Sequence, residues 1–403
     1  MVYNNPFAGF WMAGYECCDM INRYGDRVDL LRLTGHLERL EEDYRLLDYF
    51  DMKSIREGIR WSTVETSPGV YDWQAVSFII RTAVTGGKQI LFDLCHFGFP
   101  SDLTPFHPHL TSRFVALCRS FVALYRSIQP EGPLIVTPIN EVNFLAWLGG
   151  EIASTSPYCT GKGWEVKYHL MRAYIEGVKA MKEMDPGVMI LTVEPLVNIA
   201  ADDMDADTLS MVQLMSSYQF QTIEMLMGLI CPELGGRPEY LDIIGLDYYY
   251  NSQWSYPLNR ILHWKLPHTE PGYRTLSEQV RDIYEKYQRP IVLTETSHPL
   301  EDRPLWIRNV TAECIKVLTA NIPLWGICIY PVIDRPDWDQ TDTWHRSGIW
   351  DIDETSDTLD RILYEPYAIA IKECQAQTTL FMQPQKNSNA KNLYLAASFE
   401  NEV

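Results

Sequence analysis

The stretch Phe7-Ala8-Gly9-Phe10-Trp11-Met12-Ala13-Gly14-Tyr15-Glu16 is a short apolar run that ends without a Gly-x-Gly-x-x-Gly phosphate loop. An open, doubly wound α/β sheet would normally carry that loop after its first strand, so the closed barrel is the better reading. The rest of the chain supports it. Further apolar runs occupy residues 54–61, 89–95, 134–139, 188–193, 243–247, 291–294 and 324–330. They are continuous rather than alternating, as suits strands covered on both faces of a parallel sheet. Between them lie segments of helical spacing. Residues 37–50 put Leu37, Leu40, Tyr44 and Leu47 on one side, and Glu38, Glu41, Glu42 and Asp43 mostly on the other. Residues 110–127, 164–184, 277–287 and 305–320 follow the same pattern, and Thr275 stands three positions before Glu278, the spacing of a capping box. Eight strands alternating with helices predict a (β/α)8 TIM barrel of the α/β class. One domain is expected over residues 1–375, with a polar Asn/Gln-rich tail over 376–403.

Composition narrows the function. The chain has 403 residues and a net charge of −19, with no basic patch, which argues against a nucleic-acid partner. No apolar stretch approaches the roughly 18–20 residues that span a bilayer. Residues 1–10 lack the charged and apolar regions of a signal peptide. Nine cysteines, scattered apart from Cys17-Cys18 and without a Cys-x-x-Cys pair, read as packed free thiols. That predicts a reducing compartment, the cytoplasm. His107 and His109 are spaced like metal ligands but lie in a Pro-rich loop with no acidic neighbour, a poor zinc site. The oligomeric state stays open.

In a barrel of this kind, chemistry gathers at the C-terminal ends of the strands. The second run holds Arg56 and ends near Arg60 and Trp61; the third is followed by His96. The fourth ends in Asn140-Glu141, the fifth in Glu194-Pro195, the sixth in Asp247-Tyr248-Tyr249, and the seventh in Glu295. Beyond the eighth come Asp334, Asp337 and Trp338. Carboxylates that accept from hydroxyls, together with aromatic faces that stack on a sugar ring, suit a polyhydroxylated substrate. Glu141 and Glu295 belong to strands on opposite sides of such a pocket. Glycosidic cleavage needs that pair, one carboxyl protonated and one ionised.

These strand ends resemble glycoside hydrolase family 1, the β-glucosidase and β-galactosidase group of retaining barrels. Thr137-Pro-Ile-Asn140-Glu141 is similar to the family's acid/base motif, whose Asn binds the 2-hydroxyl. Leu293-Thr294-Glu295 resembles the nucleophile motif, with Thr296-Ser297 in place of Asn-Gly. Arg56, Ile59 and Trp61 have the spacing of the family's Arg-x-x-Ile-x-Trp, and His96 lies in a match to the strand-3 motif that contacts the 3-hydroxyl. Asp242-Ile-Ile-Gly245-Leu-Asp247-Tyr248-Tyr249 and Tyr330-Pro-Val-Ile-Asp334-Arg-Pro-Asp337-Trp338 are similar to the family's strand-6 and strand-8 motifs.

The resemblance implies a retaining β-glycosidase with Glu141 as acid/base and Glu295 as nucleophile, supported by Asn140, Arg56 and Tyr249. Glu16, His96, Tyr330, Asp337 and Trp338 would hold the sugar. No metal or organic cofactor is called for, because the two carboxyls carry the proton transfer and the covalent step. Glu16 stands where the family has Gln, Asp337 for Glu, Tyr330 for Trp and Asp247 for Asn. The sugar subsite is therefore more acidic than usual, and 6-phosphosugars would be repelled by Asp337. A transglycosidase using the same residues and a non-catalytic carbohydrate-binding barrel are the alternatives.

Overall fold

Residues 4–356 and 358–382 are described by the computed structural model, and each of the eight apolar runs contains one strand. These are β1 (Trp11–Gly14), β2 (Ser54–Gly58), β3 (Gln89–Asp93) and β4 (Ile135–Thr137). They continue with β5 (Met189–Pro195), β6 (Ile243–Asp247), β7 (Ile291–Thr296) and β8 (Leu324–Ile329). All pair in parallel in chain order, and β8 closes on β1. The (β/α)8 barrel expected from the runs is the architecture observed.

Side chains alternate across the barrel wall. Met12, Leu91, Ile135, Leu191, Ile243, Val292 and Cys328 form a small apolar cluster of their own, inside the ring. Their neighbours Ala13, Ile90, Val136, Ile190, Ile244, Ile291 and Ile327 join the large core under the helices. Inside, glycines make room for bulk. A Cβ on Gly326 would lie 2.2 Å from Met12 Cε, and one on Gly14 would lie 2.2 Å from Tyr330 Cδ2.

Helices Leu110–Ile128, Gly163–Met184, Leu276–Tyr287 and Arg303–Thr319 appear where the spacing put them, and the Thr275–Glu278 capping box is formed. Two expectations need correction. The segment 37–50 starts its helix only at Leu40, as Leu40–Leu46 followed by a tight turn over Leu47–Phe50. Asp43 is not on its solvent face. It is fully buried, 2.8 Å from both Arg361 Nη2 and His36 Nδ1. The last helix, Glu365–Met382, runs past residue 375. Thr378 is buried and accepts from Trp11 Nε1 at 2.9 Å, so residues 376–382 belong to the barrel's outer layer. Within them Thr378 faces inward while Ala376, Thr379 and Met382 are exposed. The rest of the expected tail, 383–403, lies outside the described residues. Among the described residues no helix is long and apolar enough to cross a membrane, and all nine cysteines are unpaired.

Asp43 belongs to a buried polar cluster on the outer side of β2. His36 donates through Nδ1 to Asp43 at 2.8 Å and through Nε2 to Glu57 at 2.9 Å, while Tyr44 donates to Glu57 at 2.8 Å. Burial alone would push the His36 pKa down, but the charges and hydrogen bonds of Glu57 and Asp43 outweigh it and raise it to about 9. A raised histidine pKa stabilises the fold fully below its ordinary value, about 6.5, and that contribution disappears as pH rises through about 9. The expected loss is on the order of 3 kcal/mol. Urea unfolding at pH 6 and pH 9.5 should show this decline in the native protein and a flatter dependence in His36→Gln. Equal slopes would contradict it.

Candidate active site

Arg56 organises the C-terminal mouth of the barrel. It projects inward from β2 with 1% of its side chain exposed, and Asp93 at the end of β3 holds it at 2.8 Å. Its Nη1 pairs with Glu295 Oε1, and its Nη2 donates to Asn140 Oδ1 at 2.6 Å. Burial opposes the charged guanidinium, yet the surrounding charges of Asp93, Glu295 and Asp247 hold its pKa well above the ordinary value.

Strict alternation along β7 would turn Glu295 toward the helices, because Val292 faces the barrel axis. The ladder slips between Leu293 and Glu295 on the β6 side and between Leu293 and Thr296 on the β8 side. An irregularity of this kind re-aims a side chain. Glu295 consequently meets Arg56 with one oxygen, while its Oε2 accepts from the Tyr249 hydroxyl at 2.6 Å.

Glu141 follows β4 and begins helix Val142–Gly150. Its backbone is left-handed, with φ of 42°, fixed by N–H donation to Val193 at 3.2 Å and by a carbonyl that accepts from Leu145 at 2.9 Å. Burial, then the charges of Asp247, Glu295 and Glu194, push its pKa well above the usual carboxyl range, with Arg56 pulling the other way. The two expected carboxyls thus lie close enough for the charge of Glu295 to act on Glu141. Glu194, near the end of β5, is buried and accepts from Asn143 N–H at 3.1 Å. Burial raises its pKa to about 7.

The expected sugar-side residues gather opposite. His96 Nδ1 lies 3.0 Å from Asp93 Oδ2, which leaves Nε2 3.3 Å from Asn140 Nδ2 and 3.6 Å from Glu16 Oε1. Tyr330 stacks near the His96 ring at 5.9 Å and donates to Glu16 Oε1 at 3.3 Å. Asp337 and Trp338 sit farther out. Both Asp337 oxygens already have partners, the N–H groups of Asp339 and Gln340 at 2.8 and 3.0 Å and His345 Nε2 at 3.1 Å. Trp338 contacts Phe97 and Phe144 at 5.9 and 6.2 Å, and Phe144 stacks on the half-exposed Trp147 at 5.8 Å. An aromatic path therefore leads outward along the helix that begins at Glu141.

Asp93, Arg335 and His345 were not singled out in the sequence. Asp93 carried a signal, a lone charge inside the third apolar run. His345 carried none, lying eight residues from Asp337 in a polar loop. Cys17, Asp93 and His96 offer donor atoms within 4.8 Å of one another, as a metal would need. Asp93 is already committed to Arg56, and burial raises the Cys17 thiol far above its ordinary range, so the cluster fits a cation poorly. His107 and His109, with rings 5.6 Å apart, lie before helix Leu110–Ile128, away from these groups.

No protein-family model and no curated protein matches the chain. Solved structures do. A β-glucosidase from Thermotoga maritima in complex with glucoimidazole superposes with a TM-score of 0.73 at 15% identity, covering 93% of this chain and 98% of that one. A family 1 β-glucosidase from the same organism gives 0.70 at 16% identity, with the same coverage of each chain. A complex of the Thermotoga enzyme with deoxynojirimycin gives 0.71 at 15% identity, again covering 93% and 98%. The fold is that of the family 1 β-glucosidases. Within this family 1 β-glucosidase fold, the residues described above occupy the C-terminal face of the barrel.

The left-handed backbone at Glu141 has a measurable cost. Glycine adopts that conformation freely, whereas a Cβ costs roughly 1 kcal/mol there. Glu141→Gly should be more stable than Glu141→Ala by about that amount in chemical unfolding, the reverse of an ordinary helical position. An alanine variant equal to or above the glycine variant would contradict it.

Proposed function

We propose that the protein is a retaining β-glycosidase, with Glu295 as nucleophile and Glu141 as acid/base. The observation that carries this reading is the contrast between two carboxyls at one cavity. Glu295 pairs with a guanidinium, which can only donate, and accepts from the Tyr249 hydroxyl. Glu141 has no cation as its principal partner, and burial and three neighbouring acids favour its proton. Opposite charge states in one pocket are what double displacement requires.

In the first step Glu295 attacks the anomeric carbon as the glycosidic C–O bond breaks. Glu141 gives its proton to the departing oxygen. The resulting ester neutralises Glu295, which removes one of the charges that held the proton on Glu141. Glu141, now a carboxylate, takes a proton from water, whose oxygen attacks the anomeric carbon. The ester bond breaks with its electron pair returning to Glu295, and a β-hemiacetal leaves. Asn140, held by Arg56, would bind the 2-hydroxyl, and Tyr249 would steady Glu295. His96, Glu16 and Tyr330 would line the sugar, with Asp337 and Trp338 at its far edge. Phe144 and Trp147, on the helix led by Glu141, suit an apolar or aromatic aglycone. The unpaired thiols suit a reducing compartment such as the cytoplasm.

A panel of aryl β-glycosides (gluco, galacto, fuco, manno, glucurono) followed by proton NMR should show the β-anomer formed first, before mutarotation. An α-anomer formed first would contradict the reading. Glu141→Gly should lose about 10²–10⁴-fold in kcat on poor leaving groups. Added azide should restore turnover of activated substrates as the β-glycosyl azide.

A further inference from the structure

Asp247 ends β6, directly paired in register with Glu295 on the neighbouring strand, and is 1% exposed. Its Oδ1 accepts from the Thr294 hydroxyl at 2.7 Å. Its Oδ2 is buried with no N–H or O–H donor in reach among the described residues, and the Glu141 carboxyl lies within hydrogen-bonding reach of this side chain. Two carboxyl groups can hydrogen-bond only when a proton lies between them. We propose that Asp247 and Glu141 are a carboxyl pair sharing one proton, with Asp247 the positioning residue that keeps it on Glu141 between turnovers. The proposal rests on the acid/base role given to Glu141 above.

The surroundings fit one proton rather than none or two. Arg56 from β2 is a permanent cation whose charge acts on both members, and Glu295 from β7 faces both. Glu194 from β5 adds a further acid on the Glu141 side; Tyr249 and the Cys328 thiol, both neutral, complete the facing groups. Thr294 donates to Asp247 alone, which favours the carboxylate there and the proton on Glu141. Turnover then leaves the local charge unchanged. As Glu141 surrenders its proton to the leaving oxygen, esterification neutralises Glu295, so two of the three carboxyls Glu141, Asp247 and Glu295 are anionic before and after, with Asp93 beside Arg56 throughout.

An asparagine at 247 would lack the charge and would donate its amide to Glu141, both of which favour loss of the Glu141 proton. The test is Asp247→Asn in the full chain, with Asp247→Ala substituting if the amide variant does not fold. The basic limb of kcat/KM should fall by one pH unit or more, with the β-anomer still formed first. Infrared titration of the resting protein reads the same proton without turnover. A protonated-carboxyl band should persist above neutral pH in the native protein, vanish in Glu141→Gln, and titrate at least one unit lower in Asp247→Asn. A basic limb that does not move in an active variant, or a band unshifted by the substitution, overturns the pair. Absence of turnover by the native protein on every glycoside would instead defeat the glycosidase reading, and the infrared shift would still decide the pair.

Discussion

A single buried guanidinium holds the mouth of this barrel together. Arg56 reaches Asp93, Asn140 and Glu295, which come from or directly follow β3, β4 and β7, so one side chain fastens strand ends from both sides of the ring. Burying that charge costs several kcal/mol unless it is well paired, and removing one partner of such a group typically costs about 3–5 kcal/mol. The pairing is therefore both a structural and a chemical constraint. The same pairing holds Glu295 at the mouth of the barrel and fixes the carbonyl oxygen of the Asn140 amide.

The same constraint governs the protons. Asp93 and Glu295 take up the positive charge of Arg56, which leaves Glu141 and Asp247 to share what remains. In a buried site of low dielectric, a carboxyl pair in that position retains a proton. The acidity noted in the sequence as a departure from the family, above all Asp247, therefore bears on proton affinity as well as on sugar recognition. Glu16 has an analogous position on the sugar side, where Tyr330 and the Cys18 N–H meet one oxygen and Arg335 approaches the other at 3.5 Å.

The barrel was legible because its strands are buried on both faces, so each one reads as an unbroken apolar run. Most of the site was legible for a related reason, since strand ends carry chemistry and Asn140-Glu141, Glu295 and Arg56 stand at or near those ends. What was not legible depended on partners remote in sequence. Asp43 has the spacing of a solvent-facing acid and is buried only because Arg361 arrives from far along the chain. The bulge that turns Glu295 inward leaves no mark in the letters. Nor does the approach of Asp247 to Glu141, which requires β4 and β6 to be brought around β5. Residues 376–382 look like a polar tail until Trp11 and Phe50 supply the surface on which that helix lies.

The central claim is covalent: the carboxylate held by Arg56 and Tyr249 becomes bonded to the sugar. The direct measurement is incubation with 2-deoxy-2-fluoro β-glycosides carrying dinitrophenyl leaving groups, followed by intact-mass spectrometry and peptide mapping. The account predicts one fluoroglycosyl adduct per chain, on the peptide containing Glu295, and none in Glu295→Gln. An adduct on another residue, or none across sugars that the native protein demonstrably hydrolyses, would contradict it.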